Sequence, residues 1–256
     1  NRLVIMSFLQ FFVWGAWLIT IGVYWFGTKQ WGGQEFGKVF ATLGIASLIM
    51  PALTGIIADR WVNAEKLYGI LHILYAGVLF YIPQVSTPET FIYIMLLAMC
   101  FYMPTIALSN SISYTALKLN NKDVIKNFPP IRVWGTIGFI VAMWITNLTG
   151  NKATEYQFYI AGLAAIVLGI YSFTLPKCKP QRLSKENASV METLGLESFK
   201  LFADYKMALF FVFSMFLGGA LQLTNAYGDV FLDEFKHFPK YADSFVVEYS
   251  TIIMSI

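Results

Sequence analysis

Charge is scarce in this chain. Of its 256 residues, 13% are Asp, Glu, Lys or Arg, about half of the roughly 25% found in an ordinary soluble domain. Cysteine and histidine are scarcer still, with two of each. Cys100 sits in an apolar stretch and Cys178 in a polar one, so neither a disulfide framework nor a metal-ligand pattern is available. The motifs H-E-x-x-H, G-x-S-x-G and the phosphate-cradling G-x-x-x-x-G-K-[ST] are all missing. Catalysis within a membrane would need a second polar catalytic group at a compatible depth, and none stands out. Together these absences argue against an enzyme.

Hydrophobic residues are abundant, at 57% with a mean hydropathy of +0.60. Uncharged stretches cover Leu3–Thr28, Val39–Ala58, Leu67–Pro88, Thr90–Leu117, Val133–Asn151, Tyr156–Pro176 and Met207–Gly228. Each approaches or exceeds the roughly 20 apolar residues that cross a hydrocarbon core. An eighth begins near Phe245 and runs to Ile256. The expectation is an all-α membrane protein with seven spans and the start of an eighth, a fragment of a larger bundle. A transmembrane barrel is disfavoured because its strands alternate over about ten residues between turns. The first apolar run is long enough to remain as a span and does not resemble a cleaved signal peptide.

Charge also predicts orientation. Arg2 and the polar segments 59–66, 118–126 and 177–206 hold twelve Lys and Arg, whereas Lys29, Lys38, Lys152, Lys236 and Lys240 are the five on the other side. The richer side is expected in the cytoplasm, which puts the N-terminus inside. The net charge of +3 then reflects topology and does not point to nucleic acid. Six spans, a basic linker and resumed spans form the plan of a two-domain transporter whose halves rock around a central site. The expected division is a six-helix domain over 1–176, a cytoplasmic linker over 177–206 and the beginning of a second domain over 207–256. Val190–Phe202 has apolar residues at helical spacing, as an amphipathic helix on the membrane surface would.

Arg132 is the most informative residue. It heads the uncharged run from Val133, and an ionisable group in such a helix costs about 2.5–3.5 kcal/mol unless it meets a cavity or partner. Pro129 and Pro130 suit the first turn of a helix, which would put Arg132 near the positive end of the dipole. Thr136 and Phe139 follow at helical spacing and share its face. A guanidinium fork, a hydroxyl and a ring on one stripe can hold a polar ligand with a flat part. A gate salt bridge or a headgroup contact is the plainer reading of Arg132.

In the seventh stretch Gln222, Asn225 and Asp229 recur at helical spacing. Amides there either join helices or read donor and acceptor edges of a ligand. Asp229, near the outer end, is expected to be solvated. Gln10, Trp14 and Trp17 in the first stretch, and Ser109, Asn110, Ser111, Ser113 and Tyr114 in the fourth, fit helix packing. His72 fits a buried neutral imidazole bonded to a neighbour, with a proton relay as the alternative. The turn Gly55-Ile56-Ile57-Ala58-Asp59-Arg60-Trp61 resembles the first half of the major facilitator loop signature. Gly55 would allow close helix packing, and Asp59 and Arg60 would cap or pair at the cytoplasmic gate.

Longer strings are more specific. Ser7-Phe8-Leu9-Gln10-Phe11 with Trp14-Gly15 and Trp17-Leu18, Leu43-Gly44-Ile45-Ala46, Met50-Pro51-Ala52-Leu53, Tyr102-Met103-Pro104-Thr105, all of Phe128–Phe139, Leu221-Gln222-Leu223-Thr224-Asn225 and the final Ser250–Ile256 are similar to the bacterial nucleoside:proton symporters of the major facilitator superfamily. That resemblance spans the chain. It implies a twelve-helix, monomeric inner-membrane carrier that imports nucleosides with protons, with the proton as coupling ion and no cofactor. It also implies that Arg132, Thr136, Phe139, Gln222 and Asn225 line the nucleoside pocket. The family's pocket carboxylates would lie beyond Ile256, so the proton-coupling group is not assigned. The rival readings are a symporter for another small polar solute, such as a sugar, and a seven-helix receptor.

Overall fold

The computed structural model describes residues 1–180 and 196–255. Among these residues the regular structure is entirely helical. The elements are α1 (Arg2–Gly15), α2 (Ile21–Val23) running into a π-turn (Tyr24–Thr28), α3 (Gly33–Arg60), α4 (Ala64–Tyr81), α5 (Pro88–Leu119), α6 (Val124–Leu148), α7 (Tyr156–Ser172), α8 (Tyr205–Asp233), α9 (Phe245–Glu248) and α10 (Ser250–Ile253). Short 3₁₀ segments follow α4 (Ile82–Gln84), precede α8 (Leu196–Ala203) and follow it (Glu234–His237). Of the surface helix expected over Val190–Phe202, residues 190–195 lie outside the described residues. The part from Leu196 is 3₁₀.

The helix starts follow from local chemistry. Asp123 accepts from the Ile125 N–H at 2.9 Å and opens α6. Asp204 accepts from Met207 N–H at 3.0 Å and opens α8. At α5, Thr87 caps and Pro88 fills the first turn, where a missing N–H costs nothing. The Asp123 cap overturns one expectation. With the helix starting at Val124, Pro129 and Pro130 lie inside it, and Arg132 is more than two turns from the positive end. Its cationic charge is therefore largely clear of the unfavourable dipole, which is felt within the first turn.

Among the described residues, five helices are long and apolar enough to cross a membrane by themselves: α3, α4 with its 3₁₀ extension, α5, α6 and α8 with its extension. The first and sixth apolar stretches give shorter helices, α1 and α7, of 14 and 17 residues. The first continues through turns at 16–20 into α2 and the π-turn. Local bonds there are diverted, since Thr146 donates to the Ala16 carbonyl at 3.1 Å and Thr20 to Gln157 Oε1 at 2.9 Å. The eighth stretch is broken at Tyr249 into α9 and α10. The expectation of a multi-pass helical membrane protein holds, with these shorter first and sixth elements.

Helices α1 to α7 form one packed body. The α1 helix lies against α6 and α7, α4 against α5 and α7, and α3 against α5. Two glycines make the closest approaches possible. A Cβ at Gly138 would stand 2.1 Å from the Phe8 carbonyl oxygen, and one at Gly69 would stand 2.1 Å from Ser172 Oγ. Small residues at such crossings let backbones meet where lipid offers no hydrophobic drive. The core carries a connected polar network. Tyr68 OH donates to Gln10 Oε1 at 2.6 Å, Gln10 Nε2 donates to Thr105 Oγ1 at 2.9 Å, and Tyr102 OH donates to the Gln10 carbonyl at 2.8 Å. Trp17 Nε1 donates to Tyr75 OH at 2.8 Å. Every one of these side chains is buried, and a satisfied buried network specifies one arrangement of its helices.

Helix α8 joins this body at one end only. Ala226, Asp229 and Asp233 are its buried residues, and no residue from Tyr205 to Leu221 is buried. The contacts run from α2 to α8 and from α6 to α10.

Candidate functional site

The site begins on the face that α6 and α1 share and continues through Trp14 into a cleft bordered by α8. Arg132 is half-buried, with its guanidinium carbon 3.8 Å from the Phe11 ring centre. This is cation–π distance, worth about 0.5–2 kcal/mol between exposed and desolvated sites. The stack holds the fork flat and leaves its N–H groups free to turn toward a ligand. Phe11 in turn packs on Trp14 at 6.4 Å between ring centres, and Trp14 meets Phe139 edge-on at 6.3 Å. Arg132 and Phe139, seven residues apart, are thus bridged through two aromatic rings of α1. Gly135 sits under this row, since a Cβ there would lie 2.5 Å from Phe11 and 2.8 Å from Arg132 Nη1.

Opposite Trp14 stands Gln222 of α8. The two line one cleft of about 300 Å³, together with Phe40, Leu43, Gly44 and Ser47 of α3 and Met103 of α5. That is within the roughly 300–1,000 Å³ of small-molecule sites. Its walls are mostly apolar and aromatic, and Gln222 and Ser47 supply polar groups. Asn225 is half-buried about one turn further along α8, and Thr136 is exposed on α6. The structure therefore links Arg132 and Phe139 through the aromatic row and brings Gln222 to the same row. Thr136 and Asn225 flank it.

Of the residues of α1 read as packing, Gln10 keeps that place and Trp14 does not. Gln10 is the hub of the core network and does not line the cleft, as a packing residue should. Trp14 and Met103 line the cleft, and Phe11 adjoins it through its contact with Trp14. The available signal was proximity in sequence, because Phe11 and Trp14 share a face of α1 with the expected stripe. His72 matches its expectation. Its Nδ1 lies 3.0 Å from the Tyr68 carbonyl, which makes it the donor, and its ring is wholly buried.

Two expectations are corrected. Asp229 is fully buried rather than solvated, because α10 covers it and Thr251 donates to its Oδ2 at 3.0 Å. Gly55 makes no close helix crossing, since a Cβ there would meet nothing within 4 Å among the described residues. Asp59 instead lines an open cleft with Asn110, Ser111, Tyr114 and Lys118. Arg60 lines a second one with Trp61, Lys66, Lys177 and Lys179. Nearby, both oxygens of Glu65 are engaged, by Asn63 Nδ2 at 3.0 Å and the Cys178 N–H at 2.9 Å. Burial, aided by the Glu65 carboxylate, pushes the Cys178 thiol up to about 11.

Comparison with known proteins agrees with this architecture. The protein-family model described as nucleoside H+ symporter matches residues 1–256. The xanthosine permease of Escherichia coli K12 is 47% identical over 255 residues, which is 100% of this chain and 61% of that protein. The nucleoside permease NupG of the same organism is 46% identical over 255 residues, with the same shares. A crystal structure of the nucleoside transporter NupG superposes with a TM-score of 0.86, at 45% identity over 99% of this chain and 62% of that one. A structure of a NupG mutant gives a TM-score of 0.91 at 45% identity, over 99% of this chain and 63% of that one. The chain thus spans about 61% of the length of the curated relatives it matches, and the expected major facilitator bundle stands. With a match over all 256 residues, this chain belongs to the nucleoside H+ symporter family.

Proposed function

We propose that the protein carrying this chain is a secondary active transporter that imports nucleosides across the bacterial inner membrane with protons. The observation that supports this reading is the aromatic row that runs from Arg132 through Phe11 to Trp14, which meets Phe139 and lines the same cleft as Gln222. In it the sugar hydroxyls and base carbonyls of a nucleoside are hydrogen-bonded by Arg132, Thr136, Gln222 and Asn225. Phe139 and Trp14 give the base an apolar wall. Because substrate groups from both the α6 and the α8 side must close on the ligand, binding is linked to movement of one body against the other.

In this reading residues 1–176 form the first domain, 177–206 the cytoplasmic linker and 207–256 the start of the second. The N-terminus is cytoplasmic and the protein works as a monomer. Gly55, Asp59 and Arg60 belong to the cytoplasmic gate. The proton is the coupling ion, the protein is not an enzyme and no cofactor takes part. Inward proton movement supplies the drive, about 2.3 kcal/mol for each charge per 100 mV. The names of the relatives support a nucleoside as substrate over a sugar.

The test is uptake of labelled uridine by the full-length protein in cells lacking their own nucleoside carriers, with and without a proton uncoupler. Accumulation above the outside concentration that collapses with uncoupler is expected. Uptake that only equilibrates would remove the proton from the proposal, and competition by sugars but not nucleosides would replace the substrate.

A further inference from the structure

The side-chain hydrogen bonds between the α1–α7 body and the residues from α8 onward gather at one end of the molecule among the described residues. Trp144 Nε1 donates to Ser255 Oγ at 2.9 Å, and Asn147 Nδ2 donates to the Glu248 carbonyl at 3.0 Å. The remaining three all come from one residue. Lys152, in the turn between α6 and α7, donates to Asp233 Oδ1 at 2.9 Å, to the Val247 carbonyl at 2.7 Å and to Ser250 Oγ at 3.0 Å. All three donor positions of the ammonium are used, and they reach the end of α8, α9 and α10. This end holds few lysines, the side expected outside.

The contact is withdrawn from water. The Lys152 side chain is 17% exposed and that of Asp233 is 10%. Asp229, one turn before Asp233, is fully buried beneath the same segment, where it accepts from Thr251. Among the described residues, no side-chain hydrogen bond joins Tyr205–Leu221 to the α1–α7 body, so the ties between the two are confined to the Lys152 end. A substrate arriving from outside must part the closed end, and the ammonium cannot follow both bodies.

We propose that Lys152 is the bolt of the outer gate: its bonds to Asp233, the Val247 carbonyl and Ser250 hold the outward face closed, and their release admits the substrate. Lys152 is a positioning residue, acting on the balance between states and never on the ligand. This rests on the transporter reading only in naming what passes the gate. Asp233 also carries Lys236, so removing Lys152 does not strand the carboxylate without a cation. A folded variant is therefore expected.

The experiment places a single cysteine at Ala226, which is 3% exposed and packed under Gly22, in full-length protein with its other cysteines replaced. Its labelling by a membrane-impermeant maleimide added outside is then timed in whole cells. Lys152→Met should raise the labelling rate by about tenfold or more, the scale of a charge-assisted bond largely removed from water. Lys152→Arg should stay within about twofold of the parent, because it retains the charge-assisted bonds. Asp233→Asn should move in the same direction as Lys152→Met, which keeps the test open if one variant fails to fold. Labelling of Lys152→Met and Asp233→Asn at the parent's rate would overturn the proposal, as would Lys152→Arg labelling as fast as Lys152→Met. The readout needs no substrate, so it fails or succeeds independently of nucleoside uptake.

Discussion

Replacing Gly138 with alanine probes the contact on which the site rests. Gly138 presses α6 onto the backbone of α1, and its added Cβ would fall 2.1 Å from the Phe8 oxygen and 2.8 Å from the Phe8 carbonyl carbon. Comfortable contact distances begin near 3.5 Å, so the two helices must separate by about 1 Å. Such overpacking costs about 1–3 kcal/mol. Against it stands the helix propensity of alanine over glycine, a gain of about 1 kcal/mol. Gly77 of α4 isolates that gain, because a Cβ there meets nothing within 4 Å. The two variants should therefore differ in stability by about 1–3 kcal/mol, with Gly77→Ala the more stable. At no more than roughly 2–4 °C per kcal/mol, the scale for 150–250 residues, the unfolding midpoints of the longer full-length protein should lie at most about 12 °C apart. Thermal unfolding of the full-length protein in detergent reads this directly. Uptake should also fall for Gly138→Ala alone, since Arg132 and Phe139 ride on the face that is displaced. Equal midpoints for the two variants would refute the tight α1–α6 crossing.

Other outcomes are equally open to measurement. Arg132→Lys should lower nucleoside uptake by about tenfold or more at normal membrane abundance, because an ammonium has neither the flat stack on Phe11 nor the fork; normal uptake would remove Arg132 from the pocket. Gln10→Leu strands Tyr68 OH and removes the bond that Thr105 Oγ1 accepts, and should cost about 1–3 kcal/mol, seen as a lower unfolding midpoint, whereas an unchanged midpoint would mean that the network adds nothing. Cys178, with its thiol held up near 11 by burial and Glu65, is protonated at neutral pH. In protein lacking Cys100 it should resist maleimide at pH 7 and react faster as the pH rises toward that value. Rapid labelling at pH 7 in the folded state would contradict its burial.

Much of this protein was legible before any coordinates. Apolar length and loop charge identify membrane helices because hydrocarbon offers the backbone no partner other than itself. The stripe of Arg132 and Phe139 follows from the helical repeat, and Gln222 follows from its helical spacing with Asn225 and Asp229. Helix ends were less legible. The uncharged run at Val133 hid a helix that starts at Val124 under the Asp123 cap, and this moved Arg132 away from the dipole. What one helix places beside another could not be read at all. That Phe11 lies under Arg132, that Trp14 and Gln222 line one cleft, that Asp229 is roofed by Thr251 and that Lys152 reaches α8 and α10 are placements of residues up to 208 positions apart (Trp14 to Gln222). The sequence alone determined the class of the protein and the chemistry on each helix face, because hydrophobicity and periodicity are local. Only the tertiary structure decided which faces meet and which end is shut, because those depend on glycine crossings and polar partners that no single segment contains.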